Sequence, residues 1–309
     1  MPAPDEHLTN LLADLPGRVR ATFYAEPTRY VRGGWQREVI DFLGVDGTWR
    51  RLNMGDLHLP ESDWPGFDNF GAGQLSPDGQ WWAARSRGGA VVLDLETGEV
   101  LTSELPGRSG RRGAAAYWWN PDSNLAYVQG SNNVDPGYWI SVPGMRVRRA
   151  SFYGRPVWTG DHGEYLVSAS NRGDSVPADV YSAANSVLRK FTISTDFNQP
   201  YTSVTDLGGE SVVGMAAGDP NREHPAELLL VDATTWEVRY RLIVRGGDIS
   251  SPYGIAFDEN HWQLYSHDYT LVWLPEQHEV QRLLDLRSDD YPGTATAIGF
   301  ARDLVFIGS

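Results

Sequence analysis

The 309-residue chain contains no cysteine. That excludes a disulfide framework, a thiolate metal site and a cysteine nucleophile. Lysine is nearly absent as well: Lys190 is the only one within a Lys+Arg total of 26. This bias reads as the base composition of a GC-rich bacterial genome and not as mechanism. Positive charge is scarce overall. The run Arg108, Arg111 and Arg112 stands in a chain of formal net charge −14, too little for the basic stripe that neutralises phosphates. Nucleic acid and anionic lipid are therefore not expected as partners. No apolar run approaches the ~18 residues of a membrane span. The opening MPAPDEHLTN lacks the basic and apolar regions of a signal peptide, so the expected setting is the cytoplasm and the expected state a monomer.

Signatures of chemistry are missing too. The chain has no GxSxG elbow, no GxxxxGK[ST] phosphate loop and no HExxH pair. His261 and His267 stand at opposite ends of an expected strand, about 20 Å apart at the rise of extended chain, and cannot share an ion. Asp285, Ser288, Asp289 and Asp290 offer oxygens to Ca²⁺ but lack the spacing of a known loop. No cofactor is expected, with Ca²⁺ the one alternative.

Aromatic and turn residues are plentiful: 12 Trp, 14 Tyr and 10 Phe beside 33 Gly and 19 Pro. They are organised. From Asn69 the chain reads as four short strands, Gly71 to Leu75, Trp81 to Ser86, Ala90 to Leu95 and Val100 to Leu105, joined by the turns SPDG and ETGE. The pattern returns every ~45 residues. AAAYWWNPDSNLAYVQG with YWISVPGMRVRRA is a second unit, RPVWTGDHGEYLVSAS opens a third, SVTDLGGESVVGMAAG a fourth, and PYGIAFDENHWQLYSHD a fifth. TATAIGFARDLVFIGS then supplies two more strands, and Glu38 to Leu52, turning at Val45-Asp46-Gly47, supplies another two. A ring of sheets loses its free edges when its two ends share a blade.

The expected fold is therefore all-β: a β-propeller of about six four-stranded blades over residues 36–309, closed by C-terminal strands pairing with an N-terminal hairpin. A seventh blade stays open, from Arg18 to Tyr24 and Tyr30 to Gly33. Residues 1–35 form an extension packed on the ring. Within it, Leu8, Leu11, Leu12 and Leu15 have helical spacing and predict a short helix over Glu6 to Leu15.

The strings LSPDGQWWAARSRGGAVVLDLETGEV and PYGIAFDENHWQLYS resemble bacterial propeller repeats, the first the TolB and YVTN types, the second an NHL blade. The resemblance covers the chain from about residue 36. It departs from true WD repeats, because Leu93-Asp94 and Val231-Asp232 stand where a Trp-Asp pair would end the third strands. It implies a fold more than an activity. A propeller peptidase would carry a second, hydrolase domain for which this length has no room.

Adjacent strand residues face opposite ways, so Trp81-Trp82, Trp118-Trp119 and Trp158 are expected to fill packing layers and not to form a stacking platform. Asp161-His162-Gly163-Glu164 occupies a turn position. The connections on that side of each sheet are short, whereas those on the other side are irregular and polar, as binding loops on a rigid scaffold are. The residues expected nearest that mouth are Asp68, Arg112, Arg155, Tyr253 and Tyr291, with Asp135, Asp174, His224, His267 and Asp268 from second-to-third-strand connections. The expected function is non-catalytic: a module binding a protein partner or a small polar ligand there. The alternative is a small propeller lyase or hydrolase using His267 with Asp268, or His224 with Glu223, as an acid–base pair.

Overall fold

A computed structural model describes residues 7–24, 29–31, 34–36, 39–59, 66–67, 74–85, 89–105, 117–120, 122–128, 137–152, 155–159, 164–168, 175–182, 184, 186–194, 202–208, 212–217, 226–232, 238–244, 251–256, 260–265, 269–285 and 296–300. They form small, mostly antiparallel sheets, with short 3-10 turns at Met54–Leu57 and Pro275–Gln277 and no α-helix among the described residues. The chain divides into two compact units, Met1–Tyr153 with Arg287–Ser309, and Gly154–Leu286.

The first unit begins with β1 (Thr9–Asn10) and β2 (Val19–Tyr24). β3 (Arg29–Val31), β4 (Gly34–Gln36), β5 (Val39–Gly44), β6 (Trp49–Asn53) and β7 (Gly66–Phe67) follow. The hairpin β5–β6 turns at Val45-Asp46-Gly47 as expected, with Gly47 at φ 78. The next sheet is β8 (Gln74–Leu75), β9 (Trp81–Arg85), β10 (Gly89–Asp94) and β11 (Val100–Glu104) in simple succession. Another holds β12 (Tyr117–Trp119), β13 (Leu125–Val128), β14 (Tyr138–Ser141) and β15 (Arg146–Arg149).

The second unit repeats the plan three times. Its sheets are β16 (Arg155–Thr159) to β19 (Val187–Ser194) through β17 (Glu164–Ser168) and β18 (Ser175–Tyr181); β20 (Thr202–Gly208) to β23 (Val238–Val244) through β21 (Val212–Ala217) and β22 (Ala226–Asp232); and β24 (Ser251–Ala256) to β27 (Glu279–Asp285) through β25 (Trp262–Tyr265) and β26 (Tyr269–Leu274). The five units read from the sequence are these five four-stranded sheets.

Two expectations about the ends change. β28 (Thr296–Phe300) pairs antiparallel with β2, and β2 with β5, giving the order β1-β6-β5-β2-β28. The hairpin Glu38 to Leu52 thus meets β2, not a second C-terminal strand, and residues 301–309 lie outside the described residues. Because β2 sits in this sheet, it does not pair with Tyr30 to Gly33. That stretch instead joins a three-stranded sheet, β3-β4-β7.

The predicted helix is also absent over residues 7–15. The Asn10 side-chain oxygen accepts the N–H groups of Leu12 (2.8 Å) and Ala13 (3.3 Å), and its carbonyl accepts those of Ala13 and Asp14, both at 3.2 Å. This local bonding satisfies the backbone without a helix, and Pro16 cannot continue one. β1 instead lies parallel on β6. A single turn still places leucines at helical spacing: Leu11 is fully buried, and Leu12 and Leu15 lie against Gly98.

Packing follows the strand alternation. Trp82, fully buried, joins Ile40, Phe42, Leu52 and Leu93 between the first two sheets, with Phe42 edge-on to it at 6.1 Å. Its neighbour Trp81 points the other way, into a layer with Trp119, Val128 and Ile140. The expectation that these tryptophans fill core layers holds for Trp81, Trp82 and Trp119; the side chains of Trp118 and Trp158 lie outside the described residues. In the second unit Trp262 and Trp273 pack against Leu228 and Leu230.

Candidate functional site

Of the expected mouth residues, Arg155 opens β16 and Tyr253 lies in β24. Asp68, Arg112, Asp135, Asp174, Glu223, His224, His267, Asp268 and Tyr291 lie outside the described residues, as do Asp161, His162, Ser288, Asp289 and Asp290. By chain position His267-Asp268 falls in the β25–β26 connection and His224 in the β21–β22 connection. Among the described residues no group of three or more His, Asp or Glu could hold a metal ion.

Three of the short connections on the other side, at 76–80, 94–99 and 120–125, are described, and their polar groups are committed to the turns. At SPDG the Ser76 N–H donates to the Trp81 carbonyl (2.8 Å), the Gly79 N–H to the Ser76 carbonyl (2.9 Å), and the Trp81 N–H to the Ser76 hydroxyl (2.9 Å). At NPDS the same bonds recur with Asn120 in place of Ser76: Asn120 N–H to Leu125 carbonyl (2.9 Å), Ser123 N–H to Asn120 carbonyl (3.0 Å), Leu125 N–H to the Asn120 side chain (2.8 Å). Gly79 (φ 73) and Ser123 (φ 58) hold the same left-handed position. The two turns are also tied together, since the Asp78 N–H donates to the Ser123 hydroxyl at 3.2 Å. One layer further in, Trp119 Nε1–H donates to the Gln74 carbonyl at 3.2 Å.

Asp94 caps the next turn, its carboxylate accepting the Glu96 N–H at 2.8 Å and the Thr97 N–H at 3.3 Å. Asp232, at the matching position of another sheet, pairs with Arg239. These two carboxylates hold their hairpins in shape.

The strongest electrostatic cluster is on β6. Arg50, almost wholly buried, donates to Asp14 (Nε, 3.0 Å) and to Asp46 (Nη2, 2.9 Å). Hydrogen bonding from Arg50 holds the Asp46 carboxyl down at about 2. The Asp46 hydrogen bond in turn raises Arg50 above its ordinary value. Beside it Arg51 grips the buried Asp41 through two bonds, 2.7 and 2.9 Å. In the second unit burial pushes the Tyr181 phenol up, with Asp179 adding to the effect. That tyrosine is therefore a neutral core group near neutral pH.

Two features passed over in the sequence emerge. One is the attachment of the N-terminal segment to a sheet edge, whose only signals are Asn10 and Asp14. The other is the outer strand β15, whose string Arg146-Val147-Arg148-Arg149 puts three exposed arginines on one edge.

No protein-family model matches the chain, and no curated protein matches it. Solved structures do. The chain is similar to an oligogalacturonate lyase from Vibrio parahaemolyticus, with 11% identity, 94% of this chain and 85% of that one covered, and a TM-score of 0.51. It is similar to a chain of a nidogen/laminin complex (13% identity, 90% and 96% covered, TM-score 0.50) and to one of a mitotic checkpoint complex (13%, 94% and 81%, TM-score 0.50). Such neighbours are β-propeller proteins, which places the fold in the propeller class. At these identities the likeness speaks for the fold alone.

Proposed function

We propose that this chain is a propeller of about six blades, one of them shared between the two ends, acting as a non-catalytic binding module. In this reading it works as a cytoplasmic monomer and engages a protein partner or a small polar ligand through the irregular connections. Arg112, Arg155, Tyr253, Tyr291, Asp68, Asp135 and Asp174 would line the contact. The observation that carries the reading is the closed hydrogen bonding of the short turns described in two of the sheets. The short turns at 76–81, 94–98 and 120–125 use their polar groups internally, which leaves recognition to the irregular polar connections elsewhere, those between sheets included.

The test is capture by the immobilised protein from a bacterial extract, compared with a variant carrying Arg112→Ala, Tyr253→Ala and His267→Ala together. Loss of capture at an unchanged melting temperature supports the reading, and retained capture overturns it. The acid–base alternative predicts turnover that fails in His267→Ala or His224→Ala alone, with a pH profile set by a histidine.

A further inference from the structure

The outer strands of the four-stranded sheets differ in what they display. β11 exposes Thr102 and Glu104; β19 exposes Val187, Leu188 and Lys190; β27 exposes Glu279, Val280 and Gln281. β23 exposes Val238, Arg239, Arg241 and Ile243, with Arg239 tied to Asp232. Among the outer-strand residues described, β15 exposes the most charge, three arginines at Arg146, Arg148 and Arg149, in a chain of net charge −14. No ion pair among the described residues engages Arg146 or Arg149.

Main-chain geometry adds a second property. The Ala150 N–H donates to the Gly137 carbonyl at 2.8 Å, and the register continues as Tyr138↔Arg149, Trp139↔Arg148, Ile140↔Val147 and Ser141↔Arg146. Bonded and non-bonded pairs alternate in an antiparallel ladder. Arg148 and Arg146 therefore turn their peptide groups inward to β14, while Val147 and Arg149 turn theirs outward. β15 is the last strand of its sheet.

The same molecule shows what such an edge accepts. β6 (Trp49-Arg50-Arg51-Leu52-Asn53) is also the outer strand of an antiparallel run and also carries adjacent arginines. It is covered by β1, with the Leu11 N–H donating to the Arg51 carbonyl at 2.9 Å and the Asp14 carboxylate 3.0 Å from Arg50. An arginine-bearing edge is met there by an added strand and a carboxylate that follows it.

We propose that the outer edge of β15 accepts an extended, carboxylate-rich segment of a partner protein as a fifth strand. The N–H and C=O groups of Val147 and Arg149 supply the ladder, and Arg146 and Arg149 supply charge recognition. Strand addition of this kind takes affinity from main-chain bonds and specificity from side chains. The proposal does not depend on the loop-face reading.

Arg146 and Arg149 face opposite ways, so the probe is an acetylated nonapeptide of repeated Glu-Glu-Thr, which carries carboxylates on both faces, with its Lys-Lys-Thr counterpart as control, followed by fluorescence anisotropy against the full chain. The Glu peptide binds, more weakly at high salt, and the Lys peptide does not. Arg146→Gln with Arg149→Gln weakens binding by about fivefold or more. Arg149→Pro removes an outward N–H that an edge position can lose without disturbing its own sheet, and weakens binding by about fivefold. Hydrogen exchange on the wild type keeps the test decisive should the proline variant misfold: the peptide must slow exchange at Val147 and Arg149. Equal binding of the two peptides, no binding to the wild type, unaltered binding to a folded Arg149→Pro, or no protection at Val147 and Arg149 overturns the proposal. So does a dimer in sedimentation that Arg149→Pro dissolves, which assigns the edge to a second copy.

Discussion

Ser123 shows how much one residue does in a tight turn. It holds a left-handed backbone at φ 58 and its hydroxyl accepts the Asp78 N–H from the neighbouring sheet. Ser123→Ala keeps the conformational cost and loses the bond, so it should destabilise by about 1 kcal/mol in chemical denaturation. Ser123→Gly also loses the bond but relieves the backbone, and should cost less than alanine. Arg50 offers a different contrast. Removing both carboxylates with Asp14→Ala and Asp46→Ala leaves a buried guanidinium unpaired and should cost about 3–5 kcal/mol, whereas Arg50→Met should be close to neutral. The acid side of the stability profile has a definite sign. Asp46 titrates at about 2 when folded, below the ordinary carboxylate value of 3.8, so its contribution is present above the unfolded value and is lost as pH falls towards 2. The carboxylate is about half exposed, which limits the effect to roughly 0.5 kcal/mol. Asp46→Asn should flatten the profile between about pH 5 and pH 2 in urea titrations at stepped pH.

At the scale of elements, the strands and turns were the legible part. Period-two alternation around Trp81-Trp82, Pro-Asp turn chemistry and the glycines at 47, 79 and 98 set β5, β6 and β9 to β11 within a residue or so of where they lie, whereas β7 fell in a stretch read as irregular loop. The helix was misread because leucine spacing over a single turn cannot distinguish a helix from a short strand followed by a turn. The deciding group was the Asn10 side chain, which competes for the backbone N–H groups of Leu12 and Ala13. The hairpin Glu38 to Leu52 was placed correctly but given the wrong neighbour, because strand pairing between distant segments leaves no local mark. The segment holding β1 should therefore behave as part of the sheet. Leu11→Ala opens a cavity at a fully buried site and should cost about 2–5 kcal/mol, with early exchange of amides in β1 and β6. Gly89 allows β10 to approach β11 so closely that a Cβ would collide with the Ser103 carbonyl. Gly89→Ala should disrupt that pairing, read as lost protection along Val100–Glu104.

On the scale of the whole molecule, net charge −14 sets a background of self-repulsion. Raising salt from a few millimolar to ~0.15 M should raise the melting temperature, because screening relieves that repulsion. The propeller class was readable from repeat spacing, since every unit meets the same packing problem with the same turn grammar. The contact residues proposed above have no comparable signature, for a physical reason. A turn is dictated by backbone geometry that few side chains satisfy, whereas a polar connection tolerates almost any sequence, so Arg112 or Asp174 carries no local signature. The arginines of β15 were passed over because outer-strand charge looks like ordinary solvated surface until pairing shows which edge is open.

The matched turns at 76–81 and 120–125 also bear on descent. SPDGQW and NPDSNL share only Pro and Asp, yet make the same backbone bonds. The offset between them is 44 residues, and between Leu95 and Val142, whose N–H groups donate to the Gln80 and Asn124 carbonyls, it is 47. The three extra residues fall after the shared turn, before the third strand. That is the trace a duplicated gene segment leaves when its letters drift and its bonds are kept. Insertions between Val128 and Gly137 should therefore be inherited and tolerated readily, while the turns admit substitution but no change of length.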